Sequence, residues 1–114
     1  MKVGLIGSGN MARALARGWG EPVLCTDGGS GSAQALVDEL GGERVASNLE
    51  LAERVDLVVL CHKPYHLAEV ASEIGDTGRA VASVLGGVST AELQRSYPRS
   101  QVFSLMPNTP VFVR

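Results

Sequence analysis

Residues 4–15 have the sequence GLIGSGNMARAL, in which an apolar run ends at glycines and a helical pattern begins directly after them. A short apolar run before glycines is typical of a buried strand. The segment Gly7-Ser8-Gly9-Asn10-Met11-Ala12 fits the pattern G-x-G-x-x-G/A, which joins the first strand of a βαβ unit to its helix. The pattern predicts that a tight loop connects a strand ending near Ile6 to a helix beginning near Asn10.

Each small residue of this loop has a separate expected role. Gly7 permits the tight turn, Gly9 leaves space for a pyrophosphate near the backbone, and Ala12 allows close packing of helix on strand. The first N–H groups of the helix then bind the phosphates. A glycine turn without a ligand is the alternative. The strand-to-helix context favours a dinucleotide, NADP(H) or NAD(H).

Further short apolar strands and amphipathic helices alternate along the rest of the chain. The predicted strands are Lys2–Ile6, Val23–Thr26, Arg44–Ala46, Val55–Leu60, Ala80–Leu85 and Gln101–Leu105. Helices are predicted from Asn10 to Gly18, through 33–40, from Ser47, through 67–74 and from Ser89. This alternation predicts an α/β Rossmann-type doubly wound parallel sheet in three layers with about six strands. Residues 1–114 then form one domain with strand order 3-2-1-4-5-6.

Composition excludes several classes of protein. The chain is 45% hydrophobic and 19% charged with a net charge of −2, so neither nucleic acid nor an anionic membrane is an expected partner. The N-terminus enters a strand at once, without the features of a signal peptide, which favours the cytoplasm. Cys25 and Cys61 lack metal-ligand spacing, so no metal site is expected. With one strand between theirs, the two residues are expected to be free thiols.

Three residues outside the glycine loop are candidates for cofactor contact. Asp27 lies 18 residues after Gly9, where a carboxylate can accept hydrogen bonds from the adenosine ribose. A simple Asp-Gly turn is the alternative. Lys63 and Pro64 follow the fourth strand and border the predicted crevice, where Lys63 either contacts the cofactor or is solvated. The neighbouring His62 and His66 are expected to be structural or surface residues.

Four stretches in order resemble one enzyme family. GLIGSGNMARAL, VVLCHKPYHLAEV, VASVLGGVS and SLMPNTPVFV are similar to the N-terminal domain of pyrroline-5-carboxylate reductases, which reduce a cyclic imine to proline with NADPH or NADH. The Met-Pro-Asn-Thr-Pro run at 106–110 is the most specific of these elements.

The resemblance implies positions for the cofactor-binding residues. Gly7, Ser8, Gly9, Asn10 and Met11 hold the pyrophosphate, and Asn48 lies near the adenosine half. Lys63-Pro64 lies by the nicotinamide. Asn108, Thr109 and Pro110 close the site near the substrate.

The chain departs from this family at several positions. Ser104 replaces an arginine that is frequent in the family, and Leu85 and His62 alter two further motifs. Family members also continue into a helical domain that forms dimers and supplies most of the substrate pocket, which is absent from these 114 residues. We therefore expect the chain to bind cofactor without turning over substrate, as part of a homo-oligomeric reductase.

Two alternatives to this function stay open. One is a dinucleotide-binding or sensing module without catalysis, and the other is a reductase related to β-hydroxyacid or prephenate dehydrogenases. The Met-Pro-Asn-Thr-Pro run favours the pyrroline-5-carboxylate reductases over these dehydrogenases. A helical domain encoded downstream would favour the enzyme over the module.

Residues near Asp27 give an expectation for cofactor choice. Between Thr26 and Glu43 the chain has no lysine or arginine, so a 2′-phosphate lacks the usual cationic partner there. Asp27 would also repel that phosphate, whereas backbone N–H groups of 28–32 could attract it. The sequence therefore predicts that NADH binds at least as well as NADPH.

Overall fold

The computed structural model describes residues 1–7, 9–27 and 31–105. Its strands are β1 (Val3–Ile6), β2 (Val23–Thr26), β3 (Gly42–Arg44), β4 (Leu57–Leu60), β5 (Ala80–Ser83) and β6 (Val102–Ser104). Its α-helices are α1 (Asn10–Trp19), α2 (Ser32–Leu40), α3 (Asn48–Arg54), α4 (Leu67–Ile74) and α5 (Thr90–Ser96). Short 3₁₀ turns at Pro64–His66 and Gly75–Thr77 flank α4.

The six strands form one parallel sheet in the order β3-β2-β1-β4-β5-β6. This confirms the predicted Rossmann-type fold and its strand order. Strands β2 and β3 follow β1 on one side, and β4, β5 and β6 follow on the other, so the strand order reverses between β1 and β4. Ligands bind at such a position in open α/β sheets.

Separate apolar cores cover the two faces of the sheet. One core joins the sheet to α1 and α2 through small and aliphatic residues such as Ala12 and Leu36. The other joins it to α3, α4 and α5 through Leu51, Leu67 and Leu93. The predicted three-layer arrangement is therefore confirmed.

The predicted position of the third strand is wrong by two residues. We expected Arg44–Ala46, whereas β3 is Gly42–Arg44. All three residues of β3 are exposed, so no apolar pattern marks the strand. Its first residue, Gly42, must be glycine because a Cβ there would lie 2.1 Å from the carbonyl oxygen of Val23.

The fourth strand also begins later than predicted. The expected start is Val55, but Val55 is the extended C-cap residue after α3, and β4 begins at Leu57. Val55 is nevertheless buried, packed in the core beside α3. The apolar run therefore indicated burial correctly but not the element to which Val55 belongs.

The expected free thiols are confirmed, since neither Cys25 nor Cys61 is in a disulfide. In the described part of the chain, no helix has the length and apolar character needed to cross a membrane.

Candidate functional site

A cleft of about 520 Å³ lies at the carboxyl ends of β1, β2 and β4. It is lined by Ile6, Gly7, Gly9, Asp27, Ser32, Asn48, Cys61, His62, Lys63, His66, Glu69, Val70 and Glu73. Five residues that the sequence singled out for the cofactor thus meet at one cavity: Gly7, Gly9, Asp27, Asn48 and Lys63. The cleft lies where the strand order reverses.

The two glycines of the loop differ in what surrounds them. Gly7 has a φ of +94°, and a Cβ there would lie 2.8 Å from backbone atoms of Cys61 and His62. Glycine is therefore required at this position by the protein's own packing. At Gly9 a Cβ would meet nothing within 4 Å, and its φ of −79° is open to any residue. Packing within the described residues gives no reason for glycine at this second position.

Helix α1 begins at the cleft with open N–H groups. Gly9 is its N-cap, no side chain among the described residues caps it, and its first turn carries no acidic residue. Ala12 is fully buried against the sheet and so fixes the orientation of the N-terminal end of α1. Asn10 and Met11 lie in the first turn with exposed side chains. The first turn can therefore bind an anion through its backbone.

The carboxylate of Asp27 is held by protein groups and is only 2% exposed. Its Oδ2 accepts a hydrogen bond of 2.8 Å from the N–H of Ala33, in the first turn of α2. The same oxygen lies 4.0 Å from Nε of Arg44. Asp27 thus lines the cleft and also fixes the start of α2.

Arg44 corrects one premise of the sequence argument. No lysine or arginine was expected beside Asp27, because none occurs between Thr26 and Glu43. The cation comes instead from the neighbouring strand, since Arg44 of β3 pairs in register with Cys25 of β2. The premise that Asp27 has no cation nearby is therefore wrong.

Asn48 connects three elements around the cleft. Its Oδ1 accepts a hydrogen bond of 2.6 Å from the hydroxyl of Thr26, at the end of β2. Its Nδ2 donates a bond of 2.8 Å to Glu73 of α4. Ser47 caps α3 by accepting from the N–H of Glu50. The side chain of Asn48 is thereby fixed at the cleft wall.

Lys63 and Pro64 start the turn that follows β4. Both are exposed, and Pro64 occupies the first position of the 3₁₀ turn, as its fixed φ favours. Lys63 lines the cleft, whereas Pro64 does not. The loop is tied to the first strand by a backbone bond of 2.8 Å from Cys61 N–H to Ile6 carbonyl.

His62 is partly buried at the cleft. Its Nδ1 lies 2.7 Å from the carbonyl oxygen of Lys63, so that nitrogen carries the proton and donates. Nε2 is buried without a partner among the described residues. Burial lowers the pKa of His62 below its usual value of 6.5, which favours the neutral ring. Its edge faces His66 at a ring separation of 6.5 Å.

Several cleft residues were not predicted from the sequence. Those that line it are Ser32, Glu69 and Glu73, and beside the lining lie Thr26, the partner of Asn48, and Arg44, the neighbour of Asp27. His66 in the 3₁₀ turn and Glu69 and Glu73 on α4 are spaced by three and four residues, which would have marked one polar face. Thr26 and Arg44 are brought in by strand pairing and carry no local signal.

Some predicted positions lie outside the described residues: Ser8, Asn108, Thr109 and Pro110. The three departures from the reductase pattern lie within the described residues, and His62 is the one at the cleft. Ser104 is an exposed residue of β6, and Leu85 is a buried residue after β5.

Residues 2–87 match the family described as NADP oxidoreductase, coenzyme F420-dependent. The chain belongs to this family. The match covers β1 to β5 and every described residue that lines the cleft. It agrees with the glycine loop at β1 and with the open sheet described above.

Proteins similar to the chain over its full length are pyrroline-5-carboxylate reductases. The enzyme of Corynebacterium melassecola is 31% identical over 97% of this chain and 46% of its own length. The structure of the Coxiella burnetii reductase has a TM-score of 0.85 with 27% identity, covering 98% of this chain and 46% of that one. The NADP-bound reductase of Plasmodium falciparum shares the fold, with a TM-score of 0.75 and 24% identity over 99% of this chain and 44% of that one.

These comparisons confirm the resemblance drawn from the sequence motifs. The chain spans less than half the length of each of these three relatives.

Proposed function

We propose that the chain is the dinucleotide-binding part of a pyrroline-5-carboxylate reductase. The observation that carries the proposal is Gly9, which lines the cleft and has open space where a side chain would be. Asn, Asp and Ser rank ahead of glycine at a helix N-cap, because their side chains accept from the free N–H groups of the first turn. A glycine that packing within the described residues does not require is explained by a ligand that approaches the backbone. A pyrophosphate at the first turn of α1 meets that condition.

The charges around the cleft favour one position for the pyrophosphate of the dinucleotide. Glu69 and Glu73 stand on the α4 wall, whereas the first turn of α1, at Asn10 and Met11, offers backbone N–H groups. An anionic pyrophosphate is therefore favoured beside α1 and disfavoured beside α4. Asp27 and Asn48 then border the adenosine half. Lys63 and Pro64 border the nicotinamide half, with Ser8, Asn108, Thr109 and Pro110 completing the site.

A bound nicotinamide would supply a hydride, and the chain's own residues would hold and orient the cofactor. Reduction of the cyclic imine adds this hydride to the imine carbon and a proton to the nitrogen, giving proline and the oxidised cofactor. A protonated imine is already electrophilic, so orientation can supply much of the lowering of the barrier. The substrate pocket requires residues beyond those described. We also propose a homo-oligomeric enzyme, as the resemblance implies, and a cytoplasmic location.

A chimeric enzyme tests the proposal. This chain replaces the aligned portion of the Corynebacterium melassecola reductase, and proline formation is measured with NADPH and pyrroline-5-carboxylate. We expect turnover by the chimera, background only by the chain alone, and loss of turnover when the chimera carries Gly9→Val.

Two results would contradict the proposal. A folded chimera that binds NADPH but forms no proline would favour a binding module without this reductase activity. Failure of the chain to bind any dinucleotide would show that the cleft is not a dinucleotide site.

A further inference from the structure

Asp27 and Arg44 form a pair of opposite charges at one end of the cleft. Asp27 closes the adenosine end of the cleft, and its Oδ2 lies 4.0 Å from Nε of Arg44. In dinucleotide-binding folds, the ribose hydroxyls of the adenosine half lie beside the residue at this position. A 2′-phosphate on that ribose would come next to both side chains.

Asp27 is poorly arranged to accept the ribose hydroxyls of NADH. Its side chain is 2% exposed, and Oδ2 already accepts the N–H of Ala33. Its negative charge is opposed by the guanidinium of Arg44. An acidic residue usually excludes a 2′-phosphate by presenting an exposed carboxylate to the ribose. The buried carboxylate of Asp27 therefore has only a weak effect of this kind.

The guanidinium of Arg44 has N–H donors available to a ligand. Its side chain is 43% exposed, and its contact with Asp27 at 4.0 Å is too long for a hydrogen bond. A guanidinium has five N–H donors in a planar fork that matches a phosphate. Within the described ranges, no hydrogen bond to another residue occupies these donors.

The strand register directs Arg44 to the correct side of the sheet. Arg44 pairs with Cys25, and residues paired across parallel strands project from the same face. Cys25 packs on the α2 side, where its thiol lies 3.6 Å from the carbonyl oxygen of Ala33. Asp27 follows Cys25 by two residues and its carboxylate also meets Ala33. Arg44, Asp27 and the start of α2 therefore share one face at one end of the cleft.

From this geometry we infer that Arg44 is the specificity-determining residue that binds the 2′-phosphate and makes NADP(H) the preferred cofactor. The inference rests on the proposed dinucleotide site and adds its discrimination between two cofactors. It replaces the sequence-based expectation that NADH binds at least as well, because that expectation assumed no cation near Asp27. Asp27 is then a positioning residue, which fixes α2 and holds Arg44 by charge.

Calorimetric titration of four probes tests the inference without any catalytic readout. The probes are NADP⁺, NAD⁺, 2′,5′-ADP and 5′-AMP, so that each pair differs in the 2′-phosphate alone. The test variant is Arg44→Met, which keeps the aliphatic stem on the edge strand and removes the guanidinium. Arg44→Lys restores a charge, and Arg95→Ala removes an exposed arginine from α5 as the matched control. Circular dichroism melts verify that each variant is folded.

We expect Arg44→Met to weaken NADP⁺ and 2′,5′-ADP about tenfold to a hundredfold, which is the range for a lost charge-assisted hydrogen bond. NAD⁺ and 5′-AMP should change by less than about twofold on the same argument, because they lack the phosphate. Arg44→Lys should recover part of the loss, and Arg95→Ala should bind all four probes as the wild type does.

Two outcomes overturn the inference while leaving the proposed site intact. The first is an equal effect of Arg44→Met on probes with and without the phosphate. The second is an unchanged preference in Arg44→Met together with tighter NADP⁺ binding by Asp27→Ser, which would make Asp27 the selecting residue. Failure of the wild type to bind any probe would instead contradict the dinucleotide site.

Discussion

The backbone of Gly7 lies directly against the peptide that joins Cys61 to His62. A Cβ on Gly7 would come within 2.8 Å of the Cys61 carbonyl group and the His62 nitrogen, and the φ of Gly7 is +94°. The loop after β1 and the loop after β4 are thus fitted to each other at the point where the cleft opens. The first glycine of the motif serves the fold, and the second is free to serve a ligand.

Gly7→Ala should lower the free energy of unfolding more than a positive φ alone explains. The strained conformation costs on the order of 1–3 kcal/mol, and the backbone clash adds to it. Gly20→Ala is the matched control, because Gly20 has a φ of +79° with nothing within 4 Å of its Cβ position. Urea unfolding of both variants measures the difference. Equal losses of stability would mean that the two loops are not in close contact.

Asp27→Ala should destabilise the fold by about 1–2 kcal/mol, because the N–H of Ala33 loses its charged acceptor. Asp27→Asn retains an acceptor oxygen and should lose less. The control is Asp76→Ala, since the side chain of Asp76 is 99% exposed. Chemical unfolding measures all three. If Asp27→Ala is as stable as the control, the carboxylate does not fix α2.

His62 should make stability depend on pH in the acid range. Burial lowers its pKa in the folded state below 6.5, so the unfolded chain binds the proton more readily. The stabilisation of the folded chain by neutral His62 is complete above about pH 6.5 and is lost as pH falls toward the lower folded-state pKa of this residue. His62→Gln should therefore be less sensitive to acid than the wild type in urea unfolding between about pH 5 and 7.

The control for this effect is His66→Gln, which removes a histidine that is half-exposed beside Glu69. It should retain the wild-type loss of stability on acidification. An acid response of His62→Gln as steep as that of the wild type would show that other groups cause it.

The two thiols should react slowly with iodoacetamide in the folded chain. Burial raises the pKa of Cys25 from 9.0 to about 11 and that of Cys61 to about 12, which reduces the reactive thiolate at pH 8. Alkylation followed by mass spectrometry of peptides should be at least about a hundredfold slower than in urea. NADPH should slow the reaction further at Cys61, which lines the cleft, and not at Cys25. Equal protection of both would point to global stabilisation in place of local shielding.

The fold was predictable because its signals are local. The glycine loop, the apolar runs and the capping pattern at Ser47 each depend on neighbouring residues, and the strand order followed from the fold type. β3 was misplaced because its three residues are exposed and carry no apolar pattern.

The cleft was predictable only in part. Gly7, Gly9, Asp27, Asn48 and Lys63 lie in or beside recognisable motifs and do meet at the cavity. The interaction of Arg44 with Asp27 arises from the pairing of β2 and β3, and that of Glu73 with Asn48 from the packing of α4 beside α3. Such contacts depend on strand register and on side-chain direction, so they cannot be predicted from the spacing of residues in a motif.

Titration of NADPH into the wild type and Gly9→Val tests the central claim most directly. A side chain at Gly9 has open space and an allowed φ, so the variant should have the circular dichroism spectrum and unfolding midpoint of the wild type. We expect saturable binding by the wild type and a loss of at least about a hundredfold in affinity in the variant, since the side chain occupies the phosphate position. Unchanged affinity in a folded Gly9→Val protein would contradict the account, because the glycine loop would then be a turn and not a binding site.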